Sequence, residues 1–283
     1  MPPTVHILYG TAWKQDETER LVRLAIEAGF RGIDTACQPK HYNEAGVGAG
    51  IATCLNARLR RADLYLQTKF TPMSGQEPRQ VPYDVKAPLA EQVAQSAAVS
   101  LRNLRTEYLD CLLLHSPLPD PHETIEIWHA MEQLVPAGVT RQLGISNCAR
   151  VEQLKAVCEA ARIQPAVLQN RFHADNDYDR RLREFCAPRG IVYQSFWTLT
   201  ANPHLLAAEV VHDLARQHGR TPAQILFRYL TQIRIVPLTG TRSAAHMRQD
   251  LAIFDFELSA AECGAMQVLL QPDSGRGRHA GSP

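Results

Sequence analysis

The sequence predicts a single α/β domain, a (β/α)8 barrel of the TIM type, and three observations carry that expectation. Strand-like apolar runs alternate with helix-periodic segments through eight successive units. The chain has 283 residues, and barrels of this kind run from about 200 to more than 400 residues as one domain. No G-x-G-x-x-G follows an early strand, as an open dinucleotide-binding sheet would normally show.

The first unit is the short apolar run 5–12, followed by a helix over 17–28. Its apolar positions Leu21, Val22, Leu24, Ala25 and Ala28 share one face, and Gly29 stops it. Residues 30–36 read as the second strand and 44–58 as the second helix. The alternation continues with strand 64–70, helix 88–102, strand 108–115, helix 123–134, strand 140–146 and helix 150–162. Strand 166–172, helix 179–186, strand 191–196, helices within 207–217 and 222–230, strand 234–238 and helix 244–253 complete it. Crossover helices cover a parallel sheet and closure removes both of its edges, so eight such units argue for a closed barrel. Gly46, Gly48 and Gly50 fall inside a helical pattern and read as close helix packing, with a phosphate-binding loop as the alternative. The proline-containing stretch 71–87 is a long irregular loop, and such loops in compact domains are more often functional than accidental. Residues 271–283, rich in Gly, Ser, Arg and Pro, predict a mobile tail after a barrel spanning 1–270.

Composition excludes several functions. A formal charge of +1 leaves no broad basic surface for nucleic acid or anionic membrane. No apolar run approaches the roughly 18–20 residues of a membrane span, and residues 1–6 lack the pattern of a signal peptide, so a cytoplasmic location is expected. The seven cysteines, without a C-x-x-C pair, read as reduced thiols, Cys37 and Cys148 among them as spectators. Metal-ligand spacings such as H-E-x-x-H or H-x-H are absent, so no metal is expected.

Three strand-like runs end in ionisable residues: Asp34, Lys69 and His115, with Tyr42 on the loop eight residues after Asp34. In a barrel the C-terminal strand ends form the active face, so all four meet at one mouth. An ammonium beside a phenol favours phenolate and lowers a pKa that is otherwise about 10. A carboxylate beside the ammonium keeps it charged and in place, and an imidazole can orient a substrate carbonyl.

With these residues the chain resembles the aldo-keto reductase family. The matching pieces are Gly10-Thr11-Ala12, Gly-Ile-Asp-Thr-Ala at 32–36, Asn-Glu-x-x-Val-Gly at 43–48, Gln-Thr-Lys at 67–69 and Leu-Leu-Leu-His at 112–115. Leu-Gly-Ile-Ser-Asn at 143–147, Gln169, Gly-Ile-Val at 190–192, Arg-Thr-Pro-Ala-Gln at 220–224 and Phe-Glu-Leu-Ser at 256–259 continue them in the family's order. The resemblance implies a barrel holding NADP(H), with NAD(H) as the alternative, and reducing aldehyde or ketone carbonyls. Tyr42 would protonate the oxygen, Lys69 and Asp34 would tune it, and His115 would position the substrate together with Trp13. Gly10, Thr11, Ala12, Asp34, Ser146, Asn147, Gln169, Phe196, Trp197 and Leu199 are the implied cofactor contacts. Thr239, Gly240, Thr241, Arg242, His246, Gln249 and Asp250 extend them to the adenosine end.

Two departures from the family pattern stand out. Where the family's tyrosine lies five residues after the aspartate and two before Asn-Glu, this chain has Pro39 and His41, so His41 rivals Tyr42 as the acid. A lysine and arginine that grip a 2′-phosphate in many relatives have no fixed counterpart here, Arg242, His246 and Arg248 being the candidates. Trp13, Trp197 and Tyr83 read equally as core or pocket. The short polar tail predicts an open mouth with broad substrate acceptance, in a monomer. A regulatory subunit that keeps the barrel and senses nicotinamide redox state is the alternative function.

Overall fold

The computed structural model describes residues 4–56 and 58–271. Strands β1 (Leu8–Gly10), β2 (Gly32–Asp34), β3 (Tyr65–Phe70), β4 (Cys111–Leu114), β5 (Leu143–Ser146), β6 (Val167–Arg171), β7 (Val192–Phe196) and β8 (Ile235–Thr239) form a closed parallel barrel in sequence order. Pairing of Leu8 with Leu238 and Tyr9 with Thr239 closes it. The barrel expected from the sequence is the barrel observed.

Seven of the eight strands are shorter than the apolar runs that signalled them, and β8 is the same length, shifted by one residue. Residues flanking the ladder stay apolar because they wedge between barrel and helices: Phe30, just before β2, is fully buried with its ring 5.7 Å from that of Tyr9. The helices are α1 (Thr18–Ala28), α2 (Glu44–Cys54), α3 (Leu89–Leu104), α4 (Pro121–Gln133), α5 (Val151–Ala160) and α6 (Arg180–Cys186). The set ends with α7 (Pro203–Leu206), α8 (Glu209–His218), α9 (Pro222–Gln232), α10 (Ala244–Leu251) and α11 (Ala260–Leu269). Helix α1 stops at Gly29, whose φ of 123° a side chain would resist. Helix α2 ends four residues before the expected 58, because Leu55 turns extended there. Sequence reading missed α11, although its signal was present: Ser259 and Glu262 form a reciprocal capping box at its start. The expected tail lies, beyond residue 271, outside the described residues. None of the described helices is long and apolar enough to cross a membrane.

Period-two alternation sorts each strand into two faces. Leu66, Phe70, Leu112 and Leu114 point outward into the large core shared with the helices. Leu8, Tyr65, Cys111, Leu113, Val167 and Val236 form a separate cluster that fills the barrel interior. Interior side chains stack in layers, so residues two further along these strands sit one layer nearer the mouth. Tyr65, Gln67 and Lys69 climb β3 in this way, and Val167, Gln169 and Arg171 climb β6.

The glycine-rich stretch is helix packing. A Cβ at Gly48 would lie 2.8 Å from the Leu104 carbonyl carbon, and one at Gly50 would lie 2.7 Å from the Glu19 carbonyl oxygen. Backbone cannot yield there as a side-chain tip would. Gly48→Ala should therefore destabilise the fold by about 1–3 kcal/mol through overpacking, whereas Gly264→Ala in α11, with nothing within 4 Å of its Cβ, should be neutral or stabilising. Urea unfolding of the two variants checks the contrast.

Candidate active site

The floor of the mouth is an ion pair. Lys69, 1% exposed, donates to both Asp34 oxygens at 2.8 and 2.7 Å and to the Thr35 carbonyl at 2.8 Å. Three glutamines complete the surroundings of the carboxylate. Gln67 and Gln169 each donate to Asp34 Oδ1, at 2.7 and 2.9 Å, and both also donate to Gln194 Oε1. A buried carboxylate is tolerable only when it is hydrogen-bonded, and here Oδ1 accepts from β3 and β6 and Oδ2 from Lys69. Burial holds the Lys69 ammonium below the ordinary lysine range, and Asp34 opposes that drop.

Above this floor stands Tyr42. The Lys69 ammonium is 5.4 Å from its ring centre, and the His115 ring meets it edge-on at 6.0 Å. The lengthened loop is taken up by a turn in which the His41 and Tyr42 amides both donate to the Gln38 carbonyl. His41 faces elsewhere: its ring lies 3.8 Å from that of Trp13 and its Nδ1 is 3.0 Å from Gln38 Oε1. One expectation is overturned. Burial, followed by the Asp34 charge, pushes the Tyr42 phenol above its ordinary value, not below it.

His115 is anchored on two sides. Its amide donates to the Phe70 carbonyl, its carbonyl accepts from Asn147 Nδ2, and its Nδ1 lies 2.6 Å from the buried Thr71 hydroxyl. The Thr71 backbone is itself held, its carbonyl accepting from Tyr83 and Gln76. Tyr83 thus belongs to the core, packed 5.6 Å from Phe70, and the 71–87 loop acts as a brace for the mouth. Burial, with the Lys69 and His41 charges adding to it, lowers the His115 pKa from 6.5 to about 3.

A cleft of about 810 Å3 runs from this mouth across the ends of β1, β7 and β8. That is within the span of small-molecule and cofactor sites, about 300–1,000 Å3. Tyr42, His41, His115 and Trp13 line it, as does every cofactor contact implied by the resemblance save one. Thr11 is the exception. It is fully buried, and its amide and hydroxyl both donate to the Asp34 carbonyl at 3.0 Å, so it fastens β1 to β2 behind the cleft. Ser146 donates to the Gln169 carbonyl, and Asp250 accepts from Thr239 at 2.7 Å, which bears on how freely either can meet a ligand. Arg242 bridges the cleft, pairing with Glu17 at 2.6 Å and donating to the Trp13 carbonyl, while Lys14 donates to the Gly240 carbonyl beside it. Arg248 does not line the cleft.

Residues 6–271 match the model of the aldo/keto reductase family. The chain belongs to the aldo-keto reductase family. It is 30% identical over 255 residues to the glyoxal reductase of Bacillus subtilis, spanning 90% of this chain and 84% of that one. An aldo-keto reductase of Mycolicibacterium smegmatis is 31% identical over 255 residues, covering 90% and 85%. Among solved structures, a mutant of Gox0644 in complex with NADPH is 28% identical with a TM-score of 0.78, covering 96% and 91%. The aldo-keto reductase MGS-M4 from a deep-sea metagenome superposes with a TM-score of 0.81 at 25% identity, covering 94% and 92%. As a member of this family the protein is a carbonyl-reducing oxidoreductase.

Sequence reading of this reductase missed Gln67, Gln194, Thr71, Lys14 and Arg171. Four of them share a readable signal: Gln67 and Thr71 flank Lys69 at two residues on either side, Gln194 precedes Phe196 by two, and Arg171 follows Gln169 by two. Each therefore shares an inward or mouth-facing position with a residue already marked. Lys14 has no such signal, since only the approach of Gly240 reveals it.

Two tests follow from His115. Thr71→Val should lower turnover about tenfold through loss of one buried hydrogen bond, and Thr71→Ser should restore it; steady-state kinetics on both decides. Because the folded state keeps His115 neutral down to about pH 3 while the unfolded chain takes up a proton near 6.5, this contribution is full above pH 6.5 and is lost as pH falls toward 3. Urea midpoints measured across that window should fall less steeply in His115→Gln than in the native protein.

Proposed function

We propose that this oxidoreductase reduces aldehydes and ketones to alcohols with NADPH, Tyr42 being the general acid. The observation that carries the reading is the convergence, within one mouth, of the Lys69–Asp34 pair, the Tyr42 ring and the His115 ring. The NADPH complex of Gox0644, a structural neighbour, supports the cofactor.

The residues present fit an extended dinucleotide. Phe196, at the inner end of the cleft, offers an aromatic face for a nicotinamide ring, with Asn147 and Gln169 as amide partners for its carboxamide. Lys14 and Arg242 between the β1 and β8 loops offer cations to phosphates, and the His246 imidazole stands with them as a hydrogen-bonding group. When bound, the nicotinamide supplies the hydride that reaches the carbonyl carbon.

The chain's own groups do the rest. His115, neutral and anchored through Nδ1 by Thr71, presents Nε2 to the carbonyl oxygen and holds it beside the phenol. Tyr42, kept protonated by burial and by Asp34, gives its proton to that oxygen as negative charge develops there. Lys69 then faces the phenolate left behind, and the buried Asp34 carboxylate keeps Lys69 in register. His41, turned to Trp13 and Gln38, is given no proton-transfer role. A cytoplasmic monomer acting on small carbonyl compounds, with no nucleic-acid or membrane partner, completes the proposal and agrees with the formal charge of +1. The regulatory-subunit alternative requires no turnover.

Tyr42→Phe should cut turnover of a simple aldehyde by about 100- to 10,000-fold while the NADPH dissociation constant, read by fluorescence, changes little. Native turnover in that variant together with its loss in His41→Ala would transfer the acid role to His41. No turnover by the native protein across a carbonyl panel would favour the regulatory reading.

A further inference from the structure

Arg171 ends β6 in an exposed position, on the inward face that carries Val167 into the barrel interior and Gln169 to the Asp34 carboxylate. Two residues of strand, about 6.6 Å at 3.3 Å per residue, lift it one layer above that carboxylate. There it lines the cleft with Tyr42 and His115. Its guanidinium lies 4.1 Å from the centre of the Trp197 ring, and Trp197 is presented by a left-handed backbone, φ 57°. An indole face supports a guanidinium without using its five donors, so the fork remains open to an oxyanion.

The other charged side chains of the cleft each make an ion pair or a hydrogen bond within the protein. Asp34 is paired with Lys69, Asp250 accepts from Thr239, Arg242 is paired with Glu17, and Lys14 donates to Gly240. Among the described residues Arg171 has neither an acidic partner nor a hydrogen-bond acceptor for its guanidinium. Its fork is therefore open, and it stands on the β6 side, across β7 from the Lys14, Arg242 and His246 group.

We propose that Arg171, seated on Trp197, is an anion subsite that selects carbonyl substrates carrying a carboxylate at the end remote from the reacting carbon. The proposal rests on the carbonyl-reductase reading and narrows its substrate class to oxo acids. Cofactor phosphates are oxyanions too, but under the proposed function they fall to Lys14 and Arg242 between β1 and β8, which would exchange their present partners for phosphate oxygens.

The test compares kcat/KM for 4-oxobutanoate against its methyl ester and for 4-formylbenzoate against its methyl ester, with NADPH. The native protein should favour the acid over the ester in at least one pair. Arg171→Gln should reduce that acid-to-ester ratio about tenfold, the low end of a charged hydrogen bond's worth, and Arg171→Lys should keep part of it. A merely structural stacking role would lower acid and ester together and leave the ratio unmoved, which would overturn the proposal. A native ratio near or below one in both pairs would also overturn it. If Arg171→Gln instead weakens NADPH binding by fluorescence titration and keeps the ratio, the subsite belongs to the cofactor phosphates and the substrate assignment fails. Failure of the native protein to reduce any of the four aldehydes would bring down the reductase reading and this subsite with it.

Discussion

The interaction on which the rest of the site depends is the buried pair between Lys69 and Asp34. Two opposite charges, each almost fully removed from water, lose hydration that their mutual attraction alone does not repay. The loss is offset by neighbours that add hydrogen bonds to the pair: the Thr35 carbonyl on the lysine, the Gln67 and Gln169 amides on the carboxylate Oδ1. Gln194 then accepts from both glutamines and donates back to Gln67, tying β3, β6 and β7 around the pair. The arrangement is possible only inside a closed barrel, where strands far apart in sequence face one axis.

That closure has a second consequence. Because the interior below is packed with Leu8, Tyr65, Cys111, Leu113, Val167 and Val236, the polar layer cannot sink, and chemistry is confined to the open end. The loops there accept unfavourable backbone geometry. Trp13, Asn147 and Trp197 all line the cleft with positive φ, 62°, 52° and 57°, a conformation that costs side-chain-bearing residues about 1–3 kcal/mol each. Each is held by its surroundings: the Trp13 amide on the His41 carbonyl, the Asn147 amide on the Gln169 carbonyl, and the Trp197 ring under Arg171. The strain buys fixed positions for two indoles and an amide around the place where a ligand would lie.

The helical shell serves the same end from outside. Helix α2 follows directly on the Tyr42 loop, its N-cap Asn43 accepting from the Gly46 amide. Its glycines let it lie against α1 and α3 without side chains between. Glu44, the first residue of α2, turns inward to accept from Thr68 and Ser100 at 2.6 and 2.8 Å. The loop that carries the phenol is thereby fixed to β3, the strand that carries Lys69.

Much of this was legible in the linear chain, because alternation of strand and helix, glycine stops and ionisable strand ends are local properties. Residues 30–36 announce a buried strand and Asp34 its polar end without reference to any other element. Strand-end positions also bring Asp34, Lys69 and His115 to one mouth, since a barrel directs all its C-termini one way. What the sequence could not decide is which of two adjacent aromatic residues, His41 or Tyr42, stands beside Lys69, because a loop's rotation is settled by what it packs against. Nor could it show that Thr11 turns away from the cleft, that Thr71 grips His115, or that Arg171 rests on Trp197. Those contacts join residues 23 to 44 positions apart, and no local rule links them; only the closed cylinder, by bringing the strands round to a common axis, makes them neighbours.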